Sequence, residues 1–289
     1  MIKKTLKLVA ILLVALGVIG TAALYWQAQQ KPQGTPTLVA LGSSYAAGIG
    51  LGERIAGSPL VCQRSGQGYP QQLARLRHVP LVDMSCSAAT THHVRDGGQV
   101  FLGPQLDGLA RETQWVTLTI GGNDVSYVGD LTFLAGRKAQ TLTGWGMRQL
   151  WGGPRKPEER DFDQLHKDLV STFAAIRQRA PNARIMIATY PAILPLKGTC
   201  AKLGLSEAEA DMMRAVGDKL ADVTLAAARE GKATSVDMHR LGIGHDACSA
   251  DPWTNGWQDA AGTAFHPTLA GATATAAAIS AAMDQAIKG

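Results

Sequence analysis

Short apolar runs alternate with longer amphipathic stretches from residue 37 to the end of the chain. The apolar runs, rich in β-branched and aliphatic residues, predict strands over residues 37–41, 79–84, 115–120, 184–189 and 234–238. The stretches with helical periodicity predict helices over residues 69–77, 101–110, 163–179, 206–230 and 268–288. Strands that alternate with helices favour a parallel sheet covered on both faces, which is an α/β fold with about five strands.

A separate apolar run at the N-terminus is predicted to be a targeting segment. Residues 8–24 carry no charge and follow three lysines within the first seven residues. A signal-peptide core is usually about 7–15 residues long and a membrane-spanning helix about 17–25, so length alone leaves both open. No clear cleavage site follows, and Tyr25 with Trp26 would suit the far interface of a spanning helix. We therefore favour an uncleaved signal anchor over a cleaved signal peptide.

This prediction divides the chain into three parts. Residues 1–26 form the signal peptide or anchor, residues 27–36 a polar linker, and residues 37–289 the exported domain. Because the lysines stay in the cytoplasm, the domain is expected to be extracytoplasmic, either periplasmic or secreted. Without these lysines the formal charge of the chain falls from +5 to +2. The remainder has no basic stripe with interleaved aromatics, so no nucleic-acid partner is expected.

Four cysteines fit an oxidising compartment. They permit three pairings, among which sequence alone does not decide. Chain order and the predicted strands favour Cys62–Cys86 and Cys200–Cys248 over the other two, and four reduced thiols are the alternative. Their spacing does not match a zinc site, so no metal is expected there.

Residues suited to acyl transfer follow the predicted strands. Ser44 follows the first strand, a glycine-dense turn ending in Asn123 follows the third, and His266 comes just before the last helix. Ligands of an open parallel sheet bind beyond the carboxyl ends of its strands, where these residues would meet. Each residue alone is commonly a helix cap or part of a turn. Together they supply a nucleophile, a base and an oxyanion donor, which acyl transfer requires.

Three segments resemble sequence blocks of the SGNH or GDSL-type hydrolases. They are residues 40–48 (ALGSSYAAG), 119–124 (TIGGND) and 265–267 (FHP), and the resemblance extends over about residues 37–288. It implies a flavodoxin-like three-layer α/β/α sandwich. It also implies hydrolysis of a carboxylic ester, in a lipid or an acylated glycan, without a metal or an organic cofactor. We expect the protein to be a monomer.

The resemblance also implies roles for individual residues. Ser44 is the nucleophile and its own N–H an oxyanion donor, His266 is the base, and the Asn123 amide is another oxyanion donor. The Ala88 N–H is the third donor, at a position where the family has glycine. Alanine fits there unless the turn requires a positive φ, which alanine tolerates poorly. Ser43 replaces the aspartate that precedes the family's nucleophile, a change we expect to affect catalysis little.

What orients His266 is a further departure from the family pattern. Many relatives have aspartate three residues before the histidine, where this chain has Thr263. Either the carbonyl or the hydroxyl of Thr263 accepts from His266 Nδ1, which gives a dyad, or Asp259 or Asp251 completes a triad. We favour the dyad, because a carbonyl can fix the histidine tautomer without a charge.

The stretch of residues 131–159 breaks the alternation of strands and helices. It contains Trp145, Trp151, several glycines and several basic residues. It is predicted to be either a cap over a substrate pocket or a surface insertion packed by its own tryptophans.

Other classes of protein fit less well. The nucleophile elbow of an α/β-hydrolase needs several strands before it, whereas residues 42–46 follow the first strand. The glycines of residues 48–52 do not complete a dinucleotide-binding loop. A possible set of metal ligands has no recognisable spacing; it comprises His92, His93, His239, His245 and Asp246. An inactive member that binds glycans or lipids, and an acyltransferase of the same fold, remain the alternatives to an esterase.

Overall fold

The computed structural model describes residues 2–30, 36–259 and 262–288. These residues form a single sheet of five parallel strands in the order β2-β1-β3-β4-β5. The strands are β1 (Leu38–Gly42), β2 (Leu81–Asp83), β3 (Trp115–Thr119), β4 (Arg184–Ala188) and β5 (Thr234–Val236). All five coincide with predicted strands, and the strand order is the flavodoxin-like one.

Helices cover the sheet and extend from its edges. They are α1 (Ile2–Ala28), α2 (Ser44–Ala47), α3 (Tyr69–Arg77), α4 (Thr91–Arg95), α5 (Tyr127–Gly136), α6 (Leu142–Leu150), α7 (Phe162–Arg179), α8 (Glu207–Glu230), α9 (Met238–Leu241) and α10 (Leu269–Lys288). Helix α8 begins as predicted, since the Ser206 side chain accepts from the Glu209 N–H and the Glu209 carboxylate accepts from the Ser206 N–H.

Two hydrophobic clusters separate the three layers. Phe173 of α7 and Leu220 of α8 belong to the cluster on one face, and Leu73 of α3 and Ile279 of α10 belong to the cluster on the other. Strands β1 and β3 are buried at every position, because helices cover both faces of the sheet. The predicted α/β/α sandwich is therefore confirmed.

The register of the sheet brings the functional loops together. Gly42, the last residue of β1, lies opposite Thr119, the last residue of β3. The chain leaves both strands at this same edge, so the Ser44 loop and the Asn123 loop start side by side. The helices that cover the faces then return toward the opposite edge, as parallel strands require.

The predicted helix over residues 101–110 is wrong. The structure has only a 3-10 turn over Gln105–Gly108 in this stretch. Pro104 lacks an N–H and restricts the residue before it, so a helix cannot continue across it. Val100 and Phe101 also have left-handed φ values of 46° and 68°. A short helix, α4, instead follows the Ala88 loop.

Helix α1 is exposed except at its C-terminal end, where Tyr25 contacts Phe101. Within Lys4–Ala28 an 18-residue window has a mean hydropathy of 2.5 and none of it is buried, so the helix is long and apolar enough to span a bilayer. A signal sequence satisfies the same test, so both predicted roles stay open. The helix extends to Ala28, into the predicted linker, and linker residues 31–35 lie outside the described part of the chain.

Two disulfides join Cys62 to Cys86 and Cys200 to Cys248, in the pairing that chain order favours. The first fastens the loop before α3 to the loop after β2, beside Ala88. The second closes a loop with a sequence separation of 48 residues, which stabilises by ~4 kcal/mol in the chain-entropy model. The disulfides and the apolar N-terminal helix fit a signal sequence and an extracytoplasmic location.

Candidate active site

Ser44 lies where β1 turns into helix α2. The turn requires glycine just before it, because Gly42 has a φ of 128° and a Cβ there would overlap the Thr119 carbonyl. Ser44 is the first residue of α2 and is 7% exposed. Its N–H has no acceptor among the described residues, so it is free to donate to a bound group.

His266 forms a dyad with Ser44. Its Nε2 lies 2.8 Å from Ser44 Oγ, and its Nδ1 lies 2.8 Å from the backbone oxygen of Ala264. Since a carbonyl only accepts, Nδ1 carries the proton and Nε2 has a lone pair directed at the serine hydroxyl. This is the arrangement of an activated nucleophile.

The contact that orients His266 differs from the predicted one. Thr263 does not reach the ring; its carbonyl accepts instead from the His266 backbone N–H at 3.1 Å. The neighbouring Ala264 supplies the acceptor because the loop turns sharply here. A carbonyl therefore orients the imidazole as expected, but it belongs to Ala264.

The two carboxylates considered for a triad lie elsewhere. Asp259 Oδ2 accepts from the Gly256 N–H at 2.6 Å. The backbone oxygen of Asp251 faces His245 Nδ1 at 2.9 Å. Neither contacts His266, so within the described part of the chain the base has no acidic partner.

Tyr45 holds the histidine loop in place, a role that the sequence analysis missed. Its hydroxyl donates to the Phe265 carbonyl at 2.5 Å, and its ring centroid lies 5.4 Å from that of His266. Phe265 has a φ of 57° and a fully buried side chain. A buried non-glycine residue in the left-handed region needs support from its surroundings, which Tyr45 supplies. The only signal in the sequence is that Tyr45 follows the nucleophile.

Three N–H groups are available for an oxyanion. Besides that of Ser44, the Ala88 N–H has no acceptor in the ranges that the structure describes. The Asn123 side-chain amide uses one N–H on the Ala89 carbonyl at 2.8 Å, which leaves its second N–H free. Ala88 has a φ of 66°, so the turn does need the positive φ that alanine tolerates poorly.

Asp124 connects the two loops that carry these donors. Its carboxylate accepts from the Thr91 N–H at 3.0 Å and from the Thr91 hydroxyl at 2.6 Å. Burial raises the pKa of Asp124, an effect that these hydrogen bonds oppose. The bonds from Asp124 and Asn123 together fix the Ala88 loop against the Asn123 loop.

Ser43, at the position of the family's aspartate, contributes to the same framework. Its hydroxyl lies 2.9 Å from Tyr190 Oη, which also accepts from the Gly122 N–H at 3.1 Å. Burial raises the pKa of Tyr190, so the phenol stays neutral and can serve both neighbours. Ser43 therefore supports the loop of Asn123 rather than the base.

The His266 pKa leads to a prediction about pH. Burial lowers the pKa of His266 from its usual 6.5, and the hydrogen bond to Ala264 raises it by less. Because only neutral imidazole can accept the Ser44 proton, activity is lost as the pH falls through this pKa. We expect kcat/KM for a neutral ester to fall on the acid side with a midpoint below 6.5, measured as a pH–rate profile. A midpoint above 6.5 would contradict the burial argument.

Two substitutions test the orienting carbonyl. Thr263→Ala and Asp259→Asn should each keep kcat within about threefold of wild type, because the acceptor on Nδ1 is a main-chain oxygen of Ala264. If a carboxylate oriented the ring, its conversion to amide would cost about 10⁴ in kcat. Steady-state kinetics on a soluble ester measures both, with the far-UV spectrum as a folding control. A large loss of kcat in Asp259→Asn, with an unchanged far-UV spectrum, would contradict the dyad.

The histidines considered as metal ligands do not converge. His92 and His93 lie on α4, whereas His239 pairs with Asp218 at 2.8 Å. His245 stacks on Trp253 with ring centroids 4.4 Å apart. Among the described residues there is no group of three or more His, Cys, Asp or Glu side chains that could hold a metal ion.

The chain belongs to the GDSL-like lipase/acylhydrolase family, whose model matches residues 40–274. It is therefore a carboxylic ester hydrolase. It is 36% identical over 233 residues to Lipase 2 of Streptomyces coelicolor, covering 75% of each chain. It is 30% identical over 264 residues to Lipase 1 of the same organism, covering 90% of this chain and 91% of the relative.

Solved structures agree with this assignment. The extracellular lipase of Streptomyces rimosus superimposes with a TM-score of 0.68 at 28% identity, covering 85% of this chain and 98% of that one. Phospholipase A1 of Streptomyces albidoflavus gives a TM-score of 0.67 at 26% identity, covering 86% and 98% of the two chains.

Proposed function

We propose that this protein is an extracytoplasmic serine esterase that hydrolyses carboxylic esters through an acyl-enzyme on Ser44. The observation that carries the proposal is the Ser44 Oγ to His266 Nε2 distance of 2.8 Å, with Nδ1 held by the Ala264 carbonyl. This geometry leaves the base neutral, in the right tautomer, and in contact with the proton that it must take.

The reaction proceeds in two halves. His266 accepts the Ser44 proton as Oγ attacks the ester carbonyl, and it then donates that proton to the departing alcohol. Water, deprotonated by His266, attacks the acyl-enzyme and releases the acid. The same oxyanion forms in both halves, and the Ser44, Ala88 and Asn123 N–H groups are proposed to bind it. Loss of one such donor typically costs about 10²–10³ in kcat.

We propose a lipid ester as the substrate. The two sequence relatives described above are lipases, and one structural relative is a phospholipase A1. Acetylxylan esterases resemble the chain at 19% identity, which supports the fold but not a glycan substrate. Hydrolysis is favoured over acyl transfer because these relatives are lipases and a phospholipase.

The N-terminal helix is proposed to tether the enzyme to a membrane. Its uncharged, exposed length supports an anchor whose lysines remain in the cytoplasm. The catalytic domain would then act outside the cytoplasm as a monomer, joined to the anchor by the polar residues before β1.

A fluorophosphonate probe tests the proposed function. The probe should attach to Ser44 and to no other serine, because among the serines of the described ranges only Ser44 has its hydroxyl within hydrogen-bond distance of an imidazole. Wild-type protein should also hydrolyse p-nitrophenyl esters of increasing chain length, with the highest kcat/KM on long acyl chains. An inactive binding module would fail both tests. If the probe labels Ser44 but kcat/KM does not increase with acyl-chain length, the protein is an esterase and a lipid is not its preferred substrate.

A further inference from the structure

The insertion between β3 and α7 lies at the edge of the sheet that carries the site. It starts right after Asn123 and ends at Arg160, whose guanidinium donates to the Val125 carbonyl near its start. Both ends are thus fixed at the carboxyl edge, and helices α5 and α6 lie between them. The insertion is therefore part of the rim of the site.

Helix α6 packs against this rim on one side only. A Cβ on Gly136 of α5 would lie 3.2 Å from the Met147 Cε and 3.0 Å from the ring of Trp257. Trp257 belongs to the loop that leads to His266, and Phe133 stacks on Trp151 at 5.4 Å. Of the two tryptophans in residues 131–159, Trp151 packs within the insertion, whereas Trp145 is 56% exposed. A cap over a substrate pocket stays a prediction.

The other side of α6 exposes large apolar side chains to solvent. Leu142 is 83% exposed, Trp145 56% and Leu150 90%. At 100° per residue these three positions fall within about 140° of arc, which they share with Gly146 and Gln149, so they lie on one face of the helix. Leu142 and Leu150 are the most exposed large apolar side chains of the described chain, more so than those of α1. We call these three residues the α6 face.

Basic residues are concentrated in the stretch of chain that carries the α6 face. Residues 131–156 contain five Lys and Arg residues and no Asp or Glu. Arg137 and Lys138 pair with Glu209 at 2.8 Å and 2.5 Å. Arg148 donates to the Arg137 and Ala139 carbonyls, and Arg155 donates to the Ser126 hydroxyl. Neither these two residues nor Lys156 has a carboxylate within salt-bridge distance in the described ranges, so their charge is not neutralised by an ion pair.

We infer that the α6 face docks on an anionic lipid surface and presents the active site to that surface. An exposed helix with Leu and Trp on one face and cations beside it is typical of a helix that lies in the membrane interface. The neighbouring cations fit anionic headgroups. The inference rests on the proposed function for the identity of the ester. Docking itself does not require catalysis, so it can be tested separately.

The position of α1 also favours a membrane as the partner. If α1 stays in the bilayer, the linker of residues 27–36 spans at most about 35 Å. The catalytic domain then remains close to the same membrane, where an exposed apolar helix would meet lipid before any soluble protein. An enzyme that docks by α6 would draw its substrate from the surface to which it is tethered.

The test uses the full-length chain reconstituted in vesicles of phosphatidylcholine with about 30% phosphatidylglycerol, an anionic lipid. The variant is Leu142→Ser/Leu150→Ser. The matched control is Leu76→Ser/Ile287→Ser, since these residues are 55% and 54% exposed. They lie at the ends of α3 and α10, toward the opposite edge of the sheet, so the control variant removes exposed apolar side chains far from the α6 face.

The first readout compares a lipid ester in the vesicle with soluble p-nitrophenyl butyrate. The rate at which the α6 variant hydrolyses the vesicle ester should fall about tenfold or more, because the loss of even one buried leucine side chain weakens docking by that much. Its rate on the soluble ester should not change. The control variant should keep both rates. Equal vesicle rates for the two variants would overturn the inference.

The second readout does not depend on activity. The fluorescence of Trp145 is obtained as the difference between wild type and Trp145→Phe. Brominated lipids should quench this fluorescence, and 0.5 M salt should reduce the quenching because it screens the cations. Absence of quenching would refute docking even in an active enzyme. Quenching in a protein that hydrolyses no ester would retain docking and reject the proposed function.

Discussion

Ser44→Ala is expected to lower kcat for ester hydrolysis by on the order of 10⁶, the loss seen when a serine hydrolase loses its nucleophile. The substitution removes the attacking oxygen and its hydrogen bond to His266, while the Ser44 N–H and the backbone stay in place. The thermal midpoint should therefore change by less than about 3 °C. Kinetics on a soluble ester and a thermal scan measure the two effects.

Ser43→Ala is the matched control for this prediction. It deletes a hydroxyl one residue away that contacts Tyr190 rather than the base. We expect it to lower stability by about 1 kcal/mol, as for one neutral hydrogen bond, and to keep most of the activity. His266→Ala combined with Ser44→Ala should be no worse than Ser44→Ala alone, because the two residues act as a unit. Comparable activity in Ser44→Ala and Ser43→Ala would reject Ser44 as the nucleophile.

Arg160→Met is expected to give the largest loss of stability, about 3–5 kcal/mol of unfolding free energy. The Arg160 side chain is fully buried and its guanidinium contacts Asp130 at 2.7 Å and the Arg155 carbonyl at 2.5 Å. Methionine would fill much of the volume but would leave the buried Asp130 carboxylate without its partner. Urea denaturation with the disulfides intact measures the loss.

An exposed ion pair provides the control for Arg160. Arg179 pairs with Asp107 at 2.5 Å, and both side chains are largely exposed. Arg179→Met should therefore lower the unfolding free energy by no more than about 1 kcal/mol. Asp130→Leu combined with Arg160→Met should recover much of the stability, because the unpaired charge is gone. An Arg160→Met variant as stable as Arg179→Met would show that the buried pair does not hold the insertion.

Much of the fold could be predicted because its causes are local. Strands β1 and β3 are buried at every position, and such strands must read as continuous apolar runs. The residues that follow parallel strands must then share one edge, which brings Ser44, Asn123 and His266 together. The order of residues along the chain was sufficient to predict that Ser44 and His266 meet.

The details of the site depend on contacts between distant parts of the chain. The orienting acceptor is Ala264 rather than Thr263, because Phe265 takes a left-handed φ that Tyr45 supports from 220 residues away. No periodicity encodes that bond. The buried pair of Arg160 and Asp130 is equally invisible, since each looks like an ordinary surface residue in the sequence. The predicted helix over residues 101–110 failed because proline chemistry outweighed apolar periodicity.

We expect the acyl group of the ester to pass through a covalent bond to Ser44. The direct test is to mix the protein with a p-nitrophenyl ester, quench with acid during the pre-steady-state burst, and determine the mass of the peptide that contains Ser44. We expect that peptide to gain the mass of the acyl group, with the modification on Ser44 and none in Ser44→Ala. A burst with the acyl group on another residue, or hydrolysis by wild-type protein with no acylated peptide at any quench time, would contradict the mechanism.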